Sequence, residues 1–244
     1  MAATILRANA IPVYGFLSFI HSRHSDETPM QLKILDCGAG GKVPPLAIFA
    51  QQGFECWGID ISDEQLDKAN AYCTEHEIEL HLQKGDMRQI PFNDATFDFV
   101  FEQYAMCHLS KSDTALAICE MHRVLKPGGL CLLGFISTSC FPKLSFGKEQ
   151  APGEYYGKEG EEQSLHSLFS DQEIDALLTD WEVLSKQKNV AYQQGMSQKP
   201  SLAEWMDAYP SSGSGYTQDA WRQRYETHGN EMQYAHLFYT LQKP

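Results

Sequence analysis

The sequence predicts a doubly wound α/β fold built on a mostly parallel sheet of seven strands. Short apolar runs alternate with helical stretches of about a dozen residues over 32–136. Those runs are nearly continuous, as strands covered on both faces require. The first of them ends in the glycine-rich turn Gly38-Ala39-Gly40-Gly41. With 244 residues, 43% hydrophobic and 21% charged, the chain can bury one good-sized core. Residues 1–244 are therefore expected to form a single domain with small cap and lid insertions.

The elements follow in order. The apolar stretch over 10–20 is interrupted by Pro12 and Gly15 and is followed by His21-Ser22-Arg23-His24, where a signal peptide would carry small residues for cleavage. It is also too short to span a bilayer. It reads as a helix within an N-terminal helical cap, 1–30. The first strand covers 32–37. After its glycine turn, Pro44-Pro45 suit the first turn of a helix, where a missing N–H costs little, and that helix is expected to run to about residue 52 and stop at Gly53. A second strand over 54–59 leads to Asp60. Ser62 then caps a helix, with Gln65 at the capping-box position and Ile61 stapled to Leu66.

Further strands are expected at 79–82, 97–101 and 130–136. The last two are joined by a helix over 113–125 that ends at Lys126-Pro127-Gly128-Gly129. Residues 137–163 are rich in proline and glycine and show no clean period, so 137–169 reads as a lid loop. Ser170 caps a helix over 171–178, with Glu173 at the box position. Two closing strands, 182–191 and 233–241, are joined by a helical insertion over 193–232 that carries Trp205, Tyr209, Tyr216, Trp221 and Tyr225. That insertion reads as a cap, a subunit contact or a surface excursion packed on its own aromatics.

Composition excludes some partners. The 19 Lys and Arg face 32 Asp and Glu, and the net charge of -13 repels a phosphate backbone. Neither nucleic acid nor an anionic membrane is expected to bind. The seven cysteines form no Cys-x-x-Cys pair or zinc-like spacing, and read as buried thiols of a cytoplasmic protein with no metal site. Monomer and homodimer both stay open.

A Gly-x-Gly turn between strand and helix lets backbone N–H groups approach a ligand, because no Cβ obstructs it. Gly38-x-Gly40 alone suits a nicotinamide cofactor, a nucleotide or S-adenosylmethionine (SAM). Asp60, about twenty residues on, is placed to accept from ribose hydroxyls. The longer pattern is more specific: Ile34-Leu35-Asp36-Cys37-Gly38-Ala39-Gly40, Gly58-Ile59-Asp60-Ile61-Ser62, Gly85-Asp86-Met87, Phe97-Asp98-Phe99-Val100 and Arg123-Val124-Leu125-Lys126-Pro127-Gly128-Gly129. In order and spacing these resemble the class I SAM-dependent methyltransferases, most of all the small-molecule branch that includes the ubiquinone and menaquinone methyltransferase relatives. The resemblance covers residues 32–136.

It implies a Rossmann-like methyltransferase fold with an antiparallel last strand, SAM as methyl donor and S-adenosylhomocysteine as product. Asp36 would order the glycine turn near the methionine amino group, with Cys37, Gly38, Ala39 and Gly40 lining the cofactor. Asp60 would bind the ribose, and Ile61 would cover one face of the adenine. Asp86 and the backbone of Met87 would bind the adenine edge, and Glu102, Gln103 and Tyr104 would flank the methionine and the methyl group. One departure stands out: the motif's third glycine falls at Lys42, with Gly41 before it, so a shifted turn is expected.

Methyl transfer to a small-molecule acceptor by in-line displacement mainly requires positioning in a dry site. A general base is needed only for an acceptor that arrives protonated, and His108 and then His166 are the candidates. For each, the competing reading is a hydrogen-bonded structural histidine. Tyr14, Tyr104 and Tyr155 are candidate substrate contacts, against a plain packing or solvated role.

Two rival functions share parts of this pattern. A non-catalytic SAM-binding protein would keep the cofactor motifs. An NAD-dependent oxidoreductase would explain the glycine turn and Asp60, but not Gly85-Asp86-Met87. Glu102-Gln103-Tyr104-Ala105 is no Asn/Asp-Pro-Pro-Tyr element, which disfavours amine or amide acceptors in proteins.

Overall fold

The computed structural model describes residues 11–23, 32–140, 143–159, 162–194 and 231–244, together with 201–203, 219, 222–223 and 225–226. Five parallel strands form its centre: β1 (Lys33–Cys37), β2 (Glu55–Asp60), β3 (His81–Lys84), β4 (Phe97–Phe101) and β5 (Leu125–Ser137). Their spatial order is β3-β2-β1-β4-β5. This reversal of direction at β1 opens a crevice at the carboxyl ends of β1 and β4, the usual ligand position in such sheets.

The alternation of strands and helices predicted the doubly wound arrangement, and the count differs: the sheet has ten strands. Seven of them make up the expected sheet, since β10 (Glu231–Gln242) inserts antiparallel between β5 and β9 (Glu182–Gln194). The other three correct the reading of 137–169 as a loop. Strands β6 (Lys148–Ala151), β7 (Glu154–Glu159) and β8 (Glu162–Phe169) form an antiparallel meander there. Strand β8 joins the main sheet through Ile136↔Leu168 and Ser137↔Phe169 of β5. Because β10 takes one edge of β5 from Leu130 to Ile136, β8 must take the other. That is the edge β4 occupies from Leu125 to Leu132, so the meander sits beyond the tip of β4, over the crevice.

Helices cover both faces. Helices α1 (Ile11–Arg23) and α2 (Ala47–Ala50) bury Val13, Phe16, Ile20, Leu46 and Phe49 against Ile34, Phe99 and Phe101. Helices α4 (Lys111–Val124) and α5 (Asp171–Leu177) bury Ile118, Met121 and Ile174 on the other face, against Leu35, Val100 and Leu133. The apolar run over 10–20 forms α1, with Pro12 in its first turn; the rest of the 1–30 cap lies largely outside the described residues. Trp205, Tyr209, Tyr216 and Trp221 of the 193–232 insertion also lie outside them.

Local signals set the helix starts. Ser62 accepts from the Gln65 N–H at the head of α3 (Asp63–His76), and Ser170 forms a reciprocal capping box with Glu173. Two expectations shift. Helix α2 is one turn long, with hydrogen-bonded turns filling the rest of the way to Gly53. The 126–129 turn is a bulge inside β5, whose register against β4 slips between Phe97 and Phe99; Gly128 takes φ +77.

Candidate active site

In register, Cys37 of β1 lies opposite Ile59 of β2, so the glycine turn and Asp60 leave the sheet side by side. The Gly38 and Ala39 N–H groups both donate to the Ile59 carbonyl, at 2.8 and 3.0 Å. Asp60 is held at both oxygens: the Gly40 N–H donates to Oδ2 at 3.0 Å and the Ser62 N–H to Oδ1 at 2.9 Å. A Cβ on Gly40 would collide with that carboxylate and with Gln65, and one on Gly38, at φ +117, would collide with Ala105. Gly41 takes φ +100 and donates to the Gln65 carbonyl. The shift expected from Lys42 is thus a left-handed Gly41 that leaves the approach over Gly38 and Gly40 intact.

Beneath the turn lie two buried acids. Asp36 is 2% exposed and its Oδ2 has no hydrogen-bond partner. Burial pushes its carboxyl well above the usual carboxylate range, and the nearby charges of Glu102 and Asp60 push it the same way. Glu102 is fully buried; its Oε1 accepts from the Ala105 and Met106 N–H groups at 2.6 and 2.7 Å, and its Oε2 from Gly134 at 3.4 Å. Burial raises it to about 7 against the pull of those N–H donors. Glu102 thereby ties down the loop after β4, in which Tyr104 takes the left-handed φ of +64 and packs on His236 and Phe238 of β10.

Above them opens a cleft of about 830 Å³. Of the residues expected at the cofactor, Gly38, Gly40, Asp60, Ile61, Asp86 and Met87 line it. Asp36, Cys37, Ala39 and Glu102 lie buried and do not line it, and Gln103 is half-buried and does not line it. Ile61 is 62% exposed at the cleft, unusual for so large an apolar side chain. Asp86 is engaged by Arg88, whose Nη2 lies 2.6 Å from Oδ2, and Arg88 reaches on to Asp113 at 3.1 Å. The Arg88 hydrogen bonds hold Asp86 below the usual carboxylate range, against the opposing effect of burial.

The candidate bases separate. His108, on the short 3-10 turn Met106–His108, lines the cleft. His166 is buried on β8, its ring centroid 5.1 Å from that of His108 and 5.5 Å from that of Phe146. Of the tyrosines, Tyr104 lines the cleft and Tyr14 does not. Tyr155 is buried in the meander and donates to Glu149 at 3.0 Å. Sequence reasoning missed Gln163, Ser164 and Leu165, which reach the cleft from β8, and it missed Arg88 and Asp113. Arg88 and Asp113 had a signal, a base two residues from Asp86 and an acid three residues after a helix-capping serine.

Comparison with known proteins agrees with this arrangement. The methyltransferase domain family matches residues 35–133. The uncharacterized methyltransferase YcgJ of Bacillus subtilis is 36% identical over 102 residues, 41% of this chain and 39% of that protein. The sterol 24-C-methyltransferase of Debaryomyces hansenii is 28% identical over 173 residues, 65% of this chain and 45% of the relative. The chain thus spans less than half the length of these curated relatives. A SAM-dependent methyltransferase structure from Methanosarcina mazei superposes with a TM-score of 0.62 at 20% identity, over 87% of this chain and 92% of that one, which shows the shared fold. The finer likeness to the quinone branch is carried by the sequence motifs alone. Motif order, the reversed sheet with its antiparallel strand and the family match lead to one assignment: residues 35–133 of this chain are a methyltransferase domain, set in the fold that the SAM-dependent methyltransferase structures share.

Proposed function

We propose that the protein transfers the methyl group of SAM to a small-molecule acceptor. The observation that carries this reading is the Asp36 carboxyl, buried with an unpartnered Oδ2 beneath a glycine turn that has no room for a Cβ. An orphaned buried acid is costly unless a cation completes it. The sulfonium donor fits, since it brings both a methionine ammonium and a sulfonium charge. The exposed face of Ile61 suits a purine ring, and the Asp60 oxygens, each fixed by one backbone N–H, keep lone pairs for two ribose hydroxyls. Asp86, held rigid by Arg88, stands at the adenine edge in the same reading.

When bound, SAM supplies an electrophilic methyl carbon, to which an acceptor lone pair bonds as the carbon–sulfur bond breaks and its electron pair stays on sulfur. The chain's own task is to position the partners and exclude water, worth about 7–11 kcal/mol in ideal cases. The glycine turn and Asp60 fix the donor. The loop stapled by Glu102 presents Tyr104 and His108, and the β8 segment closes the opposite wall. The sterol 24-C-methyltransferase relative supports a small-molecule acceptor.

Calorimetry tests the reading. The protein should bind S-adenosylhomocysteine and should not bind NADH. Asp60→Ala should weaken that binding by on the order of 1.5–3 kcal/mol, as lost charge-assisted hydrogen bonds do. Tighter binding of NADH than of S-adenosylhomocysteine would discard the proposal.

A further inference from the structure

Two buried acids lie beneath the glycine turn with no cation to answer them. Asp36 of β1 is in register with Phe101 of β4, and Glu102 is the next residue, so both stand at the carboxyl tips of neighbouring central strands. Asp36 is 2% exposed and Glu102 is 0% exposed. Glu102 is met by the backbone N–H groups of Ala105, Met106 and Gly134, while Asp36 Oδ2 meets no donor. Among the described residues no Lys, Arg or His pairs with either carboxyl.

The groups packed around the pair supply no positive charge. They are Cys37 on β1, Cys56 and Asp60 on β2, Cys131 on β5, Tyr104 and Cys107 on the loop after β4, and His236 of β10 against Tyr104. Burial pushes the Cys37, Cys56 and Cys131 thiols and the Tyr104 phenol up and the His236 imidazole down, so these five are neutral near neutrality. Asp60 adds a further negative charge. Like charges buried together with nothing opposite them are costly, and a proton on one carboxyl removes the conflict. Asp60 also shows that the pair is within electrostatic reach of the cleft: it lines that cleft, and its charge acts on Asp36. A cation lodged against Asp60 acts over the same path with the opposite sign.

We infer that Asp36 and Glu102 are specificity-determining residues that form one charge-sensing unit: the pair keeps a proton in the free protein and sheds it when the sulfonium donor enters, so the site tells the charged donor from its spent thioether. On entry of the donor a carboxyl O–H bond breaks, its electron pair stays on oxygen, and the proton passes to solvent. After methyl transfer the sulfur carries no charge, one carboxylate takes a proton back from solvent, and the hold on the thioether loosens. This inference rests on the methyl-transfer reading above.

The test is calorimetry of the full chain with SAM and, separately, with S-adenosylhomocysteine at about pH 6.5, below the range in which an α-amino group titrates. Each titration is run in phosphate and in imidazole buffer, whose different heats of ionisation turn the difference in binding heat into a count of protons. SAM should release about half a proton or more per site, and S-adenosylhomocysteine less. Asp36→Asn and Glu102→Gln keep the shape and remove the acid, and each should lower the SAM count; His108→Gln, on the cleft wall, should leave that count in place. No proton released while SAM binds, an equal count for the two ligands, a count lost in His108→Gln, or one untouched by both carboxyl variants would each overturn the inference. The first two outcomes need no variant, so they decide even where a variant fails to fold. If neither ligand binds at all, the methyl-transfer reading falls instead, and the first titration tells the two failures apart.

Discussion

Gly40 condenses the logic of the site into one position. Its φ is ordinary, so no backbone strain demands glycine there; the demand comes from the Asp60 carboxylate and Gln65, which occupy the space a Cβ would need. Gly40→Ala should therefore displace Asp60, weaken S-adenosylhomocysteine binding at least tenfold by calorimetry and cost about 1–3 kcal/mol of stability by denaturant titration. The buried acids behave oppositely in stability and in binding. Glu102 rises from 4.5 unfolded to about 7 folded, so the folded state holds the proton more tightly. Its contribution is fully present below pH 4.5 and is lost as the pH climbs to about 7, on the order of 3 kcal/mol in all. Melting temperatures of the free protein should fall across that window. Asp36 is shifted in the same direction, so Asp36→Asn should raise the melting temperature at pH 8 by a few degrees while weakening binding of the sulfonium donor. Unchanged melting would mean that the acid is not held at a cost.

Among the secondary-structure elements, those specified by neighbours in sequence were legible. The Ser170 box is one case: Glu173 returns to the Ser170 N–H at 2.8 Å, and Ser170→Ala should cost about 1 kcal/mol in denaturant unfolding without altering cofactor affinity. The glycine turn, Asp60 and the Ser62 cap were readable for the same reason. The meander was not. Its glycines look like loop signals in sequence, yet Gly147 and Gly157 stand where two backbone segments pack directly on each other, and among the described glycines of the meander Gly153 is the one that serves a tight turn. Strand β8 is paired by β5 and β7 and not by any local periodicity, which is why Ser164 and Leu165 stayed hidden while His108, on the well-marked β4 loop, did not.

The molecule's chemistry toward reagents follows from where its thiols sit. Among the seven cysteines only Cys119 is exposed. Burial pushes the Cys37, Cys56, Cys73, Cys131 and Cys140 thiols up, which keeps them from ionising near neutrality. A disulfide-exchange reagent at pH 8 should modify one thiol per folded chain and seven after denaturation, and fast modification of several in the native protein would contradict this core. The net charge of -13 leads likewise to no measurable binding to duplex DNA at physiological salt, readable by fluorescence anisotropy.

Strand β10 is an interior strand, flanked by β5 and β9, and the backbone of Lys243 just after it exchanges hydrogen bonds with Gly128 and Gly129. Until a ribosome has made it, β5 presents a bare row of amides and the apolar side chains of Leu130, Leu132 and Phe135 to the cell. The nascent polypeptide therefore waits in a sticky, half-zipped condition, and its dependence on chaperones should be greatest just before that last ladder closes.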